Sequence, residues 1–223
     1  MLKAVLFDMD GVLVDSEHEY IRHEQRLAKQ LGFELTVEEQ SRYTGIRPLE
    51  MWMALQQNYG FDRDPHELAR AEANMMDEYY ANGTLHPYEP SVALLKCCAQ
   101  SGLKVAVASS STRENVQHVV RRLGLEPYVD AVASSCAAGK SKPAPDIFLM
   151  AMQQLGVSGS ECVVIEDADS GIAAARAANV AGVIGIRLPD RNQSLAGADL
   201  IVDSLGGVSP DTLRGLVERH TAF

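Results

Sequence analysis

Lys3-Ala4-Val5-Leu6-Phe7-Asp8 is a short apolar run that stops on an acid. Its residues do not alternate between apolar and polar, so neither face is set aside for water; a parallel strand covered on both sides reads this way. The form recurs along the chain. Leu103-Lys104-Val105-Ala106-Val107-Ala108-Ser109 ends in hydroxyls, and Cys162-Val163-Val164-Ile165-Glu166-Asp167 ends in two acids. Val129–Ala133, Gly182–Arg187 and Asp199–Val202 complete the set. Helical patterns over roughly 91–101, 112–124, 144–156 and 169–179 separate these runs, and Gly102, Gly124 and Gly156 stand where helices would stop. Strand and helix in repeated alternation predict an α/β fold, a doubly wound, Rossmann-like parallel sheet.

One region breaks the alternation. Residues 16–82 hold no strand-like run, but amphipathic segments at Glu17–Leu31 and Ala69–Tyr80, interrupted by Gly32, Gly45-Ile46-Arg47-Pro48 and Gly60. We expect a helical domain over 16–82, inserted after the first strand into a core built from 1–15 and 83–223. Met51, Trp52, Met53, Met75 and Met76 are read as its packing residues.

Composition narrows the function. The 223 residues are 46% apolar, enough for a sizeable core, and 20 basic against 30 acidic side chains give a formal charge of −10. That balance argues against nucleic acid or an anionic membrane as partner, while leaving room for a small anionic substrate. Cys97, Cys98, Cys136 and Cys162 form no C-x-x-C pair and read as reduced thiols. Met1 leads straight into a strand and no run reaches membrane-spanning length, so a cytoplasmic protein is expected, a monomer or weak dimer, with the sequons at Asn82 and Asn192 unused.

Ligands of an open parallel sheet gather at the carboxyl ends of its strands. Asp8 with Asp10, Ser109, and Glu166 with Asp167 end three of the runs, and the loop Lys140-Ser141-Lys142-Pro143-Ala144-Pro145-Asp146 follows another. Carboxylates crowded at one edge need a cation, and their oxygens suit magnesium. A hydroxyl and a lysine beside them suit phosphate oxygens. The set points to phosphoryl transfer by positioning and charge neutralisation.

These residues also carry a resemblance. Asp8-Met9-Asp10-Gly11-Val12-Leu13-Val14-Asp15-Ser16 is similar to the first signature of the haloacid dehalogenase superfamily. Ser109 resembles the second, Lys142 in Ser-Lys-Pro-Ala-Pro-Asp the third, and Glu166-Asp167-Ala168-Asp169-Ser170-Gly171 the fourth. The four stand in order over the whole chain, and the insert resembles the cap of the β-phosphoglucomutase-like branch. The resemblance implies that Asp8 is the nucleophile and a Mg2+ ligand, forming an aspartyl-phosphate. It implies that Asp10 is general acid and then base, with its backbone carbonyl at the metal. Ser109 would hold a phosphate oxygen, Lys142 would offset charge on Asp8 and the phosphoryl group, and Asp167 would ligate the metal with Glu166 helping directly or through water.

Plainer readings are weighed against these. Asp-Gly is turn chemistry. The Ser109-Ser110-Ser111-Thr112 run must cap a helix, a task given to Ser111 or Thr112, with Ser109 and Ser110 left for substrate. Lys140 is placed on the surface. Gly139-Lys140-Ser141 lacks the P-loop's earlier glycine, Ser134 standing there instead. Asp169 is read as a helix N-cap and Gly171 as a point of close packing. Mutases of the branch carry histidine four residues after the serine of the first motif, where this chain has Tyr20, and their cap loop places its arginine differently from Arg47. The expected function is therefore a magnesium-dependent phosphatase for a small phosphorylated sugar or polyol, with Arg47 and Arg70 as substrate-binding candidates. The alternatives are a sugar phosphomutase and a non-catalytic binding protein of the same fold.

Overall fold

The computed structural model of the chain describes residues 1–43, 48–134, 139–189, 191 and 193–221. The chain divides into two compact units, Met1–Asp15 with His86–Phe223, and Ser16–Leu85.

The first unit is built on a six-stranded sheet of order β3-β2-β1-β4-β5-β6. The strands are β1 (Ala4–Phe7), β2 (Lys104–Ser109), β3 (Ala131–Ser134), β4 (Cys162–Glu166), β5 (Gly182–Ile186) and β6 (Leu200–Val202). Every pairing is parallel. β1 lies between β2 and β4, which is why its four residues are buried and why polar alternation is missing from its sequence.

The chain builds outward from β1 to β3, then returns to lay β4 on the other side of β1. Strand order reverses there, and such a switch point leaves a crevice beyond the strand ends. Register fixes what faces it. Phe7 is level with Val107 and Ile165, so Asp8, Ala108 and Glu166 follow at one height.

Helices α7 (Asp146–Leu155) and α8 (Asp169–Ala177) bring Ile147, Phe148 and Ile172 onto Leu6, Ala106, Ala108 and Val164 in one apolar cluster. Helix α5 (Glu89–Gln100) packs on β2, and α9 (Pro210–Thr221) on β4 and β5. Helix α6 (Arg113–Arg122) lies against β3, its N-cap Thr112 accepting from Asn115 N–H at 3.3 Å. The sequence reading stops at β6, because α9 buries only a narrow stripe, Leu213, Leu216 and Val217.

The two crossing segments of backbone run side by side. Asp15 N–H donates to His86 O at 2.8 Å and Tyr88 N–H to Leu13 O at 2.9 Å, with a bridge between Val14 and Pro87. These bonds tie residues from His86 onward to the first unit, so the second boundary falls three residues past position 83.

The second unit holds α1 (Glu17–Gln30), α2 (Val37–Ser41), α3 (Pro48–Tyr59) and α4 (Pro65–Asn82). Leu27, Leu35, Met51, Trp52, Leu55 and Leu68 form its core, each contributing about 1.5–3 kcal/mol by leaving water. Met76 is buried as well and Met75 packs against this core, but Met53 is 48% exposed and is not a packing residue. No described helix of either unit is long and apolar enough to cross a membrane.

Candidate functional site

Asp8 sits one residue past β1, its N–H bonded to Ile165 O at 3.0 Å, so the sheet itself aims the side chain. The next turn is tight. Leu13 N–H reaches Met9 O at 2.8 Å and Gly11 N–H reaches Val14 O at 2.9 Å. Gly11 holds φ +79, and a Cβ there would stand 2.2 Å from Asp167 Oδ2. Glycine is needed twice over, for the left-handed backbone and for the space that the carboxylate fills.

Lys142 enters from the loop ahead of α7. Its ammonium donates to Asp8 Oδ1, to Glu166 Oε1 at 2.6 Å and to Ala108 O at 3.3 Å. Lys142 and Asp8 side chains are each only 8% exposed. Lys140 is exposed, so the surface role expected of it holds. Glu166 is fully employed: Oε2 accepts from Asp167 N–H and Ala168 N–H, each at 3.0 Å, while Oε1 meets Lys142. Gly171 makes this possible, since a Cβ on that turn of α8 would lie 1.8 Å from Glu166 Oε1.

Asp10 faces the end of β2. Ser109 Oγ donates to its Oδ2 at 3.3 Å and Ser111 Oγ does so at 3.2 Å, while Ser111 N–H donates to Ser109 Oγ at 3.1 Å. Ser111 therefore serves Asp10, and Thr112 alone caps α6.

Electrostatics follow from burial. Loss of water pushes the Asp8 carboxyl well above its usual range; Lys142 opposes this, and Glu166, Asp167 and Asp10 add to it. Burial also lifts Asp167 to about 7, with Glu166 reinforcing and Arg191 and Lys142 opposing. Burial works against the charge of Lys142 too, but Asp8 and Glu166 outweigh it and raise its pKa, so the ammonium keeps its proton.

Asp8, Asp10, Glu166 and Asp167 meet the two cations Lys142 and Arg191, which leaves two negative charges over when all are ionised. Asp8, Glu166 and Asp167 are buried and each offers an oxygen within 4.8 Å of the others. An all-oxygen donor set short of two positive charges fits a hard divalent cation.

The structure thus brings Asp8, Asp10, Ser109, Lys142, Glu166 and Asp167 to one edge. Ser110 is exposed at the end of β2. Arg70 is exposed on α4 in the other unit, and Arg47 lies outside the described residues. Asp169 is not an N-cap. Ala168 holds that position, and the Asp169 carboxylate accepts from Leu195 N–H at 2.6 Å and Ser194 N–H at 3.1 Å.

Sequence reasoning missed Arg191, whose Nη1 donates to Asp167 Oδ2 at 2.6 Å, and Gln193, whose Nε2 donates to Asp167 O. Both follow β5, and the rule of strand carboxyl ends, carried to that strand, points to their loop.

The chain is similar to known proteins. Residues 2–179 match the family described as haloacid dehalogenase-like hydrolase. The chain is 37% identical over 213 residues to Protein SUPPRESSOR OF QUENCHING 1, chloroplastic, of Arabidopsis thaliana, covering 93% of this chain but 20% of that protein. It is 32% identical over 181 residues to fructose-1-phosphate phosphatase YqaB of Escherichia coli (strain K12), covering 81% of this chain and 94% of that one. The solved β-phosphoglucomutase (pgmB) of Clostridium difficile shares the fold, with a TM-score of 0.77 at 24% identity and full coverage of both chains.

Proposed function

The chain belongs to the haloacid dehalogenase-like hydrolase family, and on that premise we propose that it is a magnesium-dependent phosphatase acting on a small phosphorylated sugar or polyol. One observation carries the reading: a buried aspartate at the end of the central strand, ion-paired to a buried lysine and set among further carboxylates. The phosphatase relative supports the hydrolytic outcome.

When bound, a divalent ion would be held by Asp8 and Asp167, with Glu166 beside them, and would neutralise charge on the transferring phosphoryl group. The remaining chemistry belongs to the chain. Lys142 pins Asp8 Oδ1 and fixes the carboxylate's direction. An Asp8 oxygen attacks phosphorus; the bond to the ester oxygen breaks, and Asp10, in its protonated form, gives that oxygen its proton. Asp10, now a carboxylate oriented by Ser109 and Ser111, takes a proton from water as the water attacks the phosphorus of the aspartyl-phosphate. Orthophosphate leaves and Asp8 is restored. Glu166 acts by holding Lys142, since both of its oxygens are engaged. The helical unit Ser16–Leu85 is read as the family's cap, with Arg47 and Arg70 as candidates for the distal part of the substrate.

One second reading, a phosphomutase, follows from the resemblance of the first motif and the insert to the β-phosphoglucomutase-like branch. The two part on the fate of the aspartyl-phosphate. Incubation with β-glucose 1-phosphate, a trace of the 1,6-bisphosphate and Mg2+ should yield orthophosphate and free sugar, and chelation should abolish the yield. Glucose 6-phosphate with little orthophosphate would overturn the phosphatase reading.

A further inference from the structure

The loop that leaves β5 grips Asp167 at two points. Gln193 Nε2 donates to the Asp167 backbone carbonyl and to Ile186 O at 3.4 Å, while its Oε1 accepts from Leu188 N–H at 2.8 Å. These bonds anchor the loop through an uncharged side chain. Arg191 then places Nη1 2.6 Å from Asp167 Oδ2, with 17% of its side chain exposed and 4% of the aspartate's. The carboxylate lies close against Gly11, its Oδ2 in the space that a side chain there would need.

We propose that Arg191 is a built-in counter-cation of the site, competing with the divalent metal for Asp167 and thereby setting the metal affinity and the net charge offered to phosphate. The inference rests on the reading of the carboxylate cluster as a metal site. Charge arithmetic gives its signs. When all are ionised, Asp8, Asp10, Glu166 and Asp167 sum to four negative charges; Lys142 and Arg191 leave two; a dication closes the balance, and a proton on Asp10 raises every such sum by one without changing the signs that follow. Without Arg191 the cluster keeps one more negative charge. A dication then binds more tightly, and a phosphate dianion, arriving on a site that is no longer neutral, binds more weakly. A merely structural arginine would move both affinities the same way or neither.

Arg191→Gln and Arg191→Lys separate these outcomes in the full chain, with the Gln193 anchors left in place. Mg2+ binding is read by titration calorimetry, and orthophosphate binding is read the same way at saturating Mg2+. We expect Arg191→Gln to bind Mg2+ about tenfold more tightly and orthophosphate about tenfold more weakly, and Arg191→Lys to stay near wild type on both. Equal or weaker Mg2+ binding by Arg191→Gln overturns the inference and leaves the metal site standing. Absence of Mg2+ binding by the wild-type chain overturns the metal site together with the inference. Should Arg191→Gln fail to fold, the wild-type chain itself tests the competition. Arginine modification by phenylglyoxal, mapped by mass spectrometry, should rise at Arg191 when Mg2+ takes Asp167, and an unchanged or reduced reactivity there overturns the competition.

Discussion

Both units of this chain bury acids, and Asp8, Glu166 and Asp167 in one differ from Glu72 and Glu24 in the other in the partners they meet. In the first unit Asp8, Glu166 and Asp167 face Lys142 and Arg191 at ion-pair distance. In the helical unit Glu72 is 1% exposed, and the Trp52 indole N–H donates to its Oε2 at 3.0 Å. Glu24, whose charge reaches Glu72, is held by the Gln40 amide at 2.7 Å. Burial lifts both glutamates to about 7. Cations oppose the effect of burial in the first set, although Asp8 still lies well above its usual range and Asp167 at about 7; in the second set only neutral donors oppose it. A buried acid is thus read by its partner, and burial alone does not mark a site.

The largest effects should come from breaking the charged side of this contrast. Asp8→Asn removes the carboxylate proposed as nucleophile but keeps its shape and an oxygen that can accept from Lys142. We expect turnover to fall by about 10⁴-fold or more with the thermal transition nearly unmoved. Substantial phosphate release by a verified Asp8→Asn protein would remove Asp8 from the mechanism.

Lys142→Ala should cost both activity and stability. It strands Asp8 and Glu166 in the interior without their shared cation, a loss of about 3–5 kcal/mol, or roughly 10 °C in Tm for a chain of this size. Calorimetry at neutral pH checks this. The loss should shrink in mild acid, where the stranded carboxyls take up protons instead. A transition within about 1 °C of wild type at neutral pH would show that the pair is not what holds these acids.

Gly171→Ala is a subtler test of the same edge. The new methyl group would lie 1.8 Å from Glu166 Oε1, and helix and carboxylate cannot both stay. Displacing Glu166 frees Lys142 from one of its three anchors, so kcat should fall by about 10–100-fold while alanine's better helix propensity offsets part of the strain. Unchanged kcat would mean that Glu166 does not position Lys142.

Much of this was legible in the sequence, for a physical reason. A central parallel strand needs apolar residues on both faces, and a switch-point site needs polar ones just beyond its end. Runs such as Ala4–Phe7 before Asp8 and Cys162–Ile165 before Glu166 therefore announce fold and site together. What stayed hidden depends on side-chain reach. Nothing local tells that Ser111 turns to Asp10 while Thr112 caps α6, or that Asp169 bonds the backbone at Ser194 and Leu195 and not its own helix. Arg191 sits in a loop, Leu188-Pro189-Asp190-Arg191-Asn192-Gln193, where one charge beside an opposite one carries no periodic signal. The Glu72–Trp52 contact joins residues of two helices, and an acid within an amphipathic segment reads by default as solvent-facing.

The uncharged side of the contrast gives the smallest effect and the most direct readout. Trp52 is the chain's single tryptophan, and its indole N–H rests on Glu72. Ionisation of that carboxyl, with a midpoint of about 7, should shift Trp52 emission over the same range. The sign for stability follows from linkage. An unfolded glutamate ionises near pH 4.3, so between about 4.3 and 7 the folded state holds a proton that the unfolded state has lost. Stability is full below that window, falls as pH rises through it, and is flat above it. The full span is worth about 3 kcal/mol for one such group. Glu72→Gln stays neutral throughout and can still accept from the indole. It should match wild type to within about 1 kcal/mol in mild acid, where its amide lacks a partner, and exceed it by about 2–3 kcal/mol in mild alkali. The Trp52 titration should flatten, and Glu24, relieved of one like charge, should ionise at lower pH. Emission that titrates identically in wild type and Glu72→Gln would assign the transition to another group and undo the contrast between the two units.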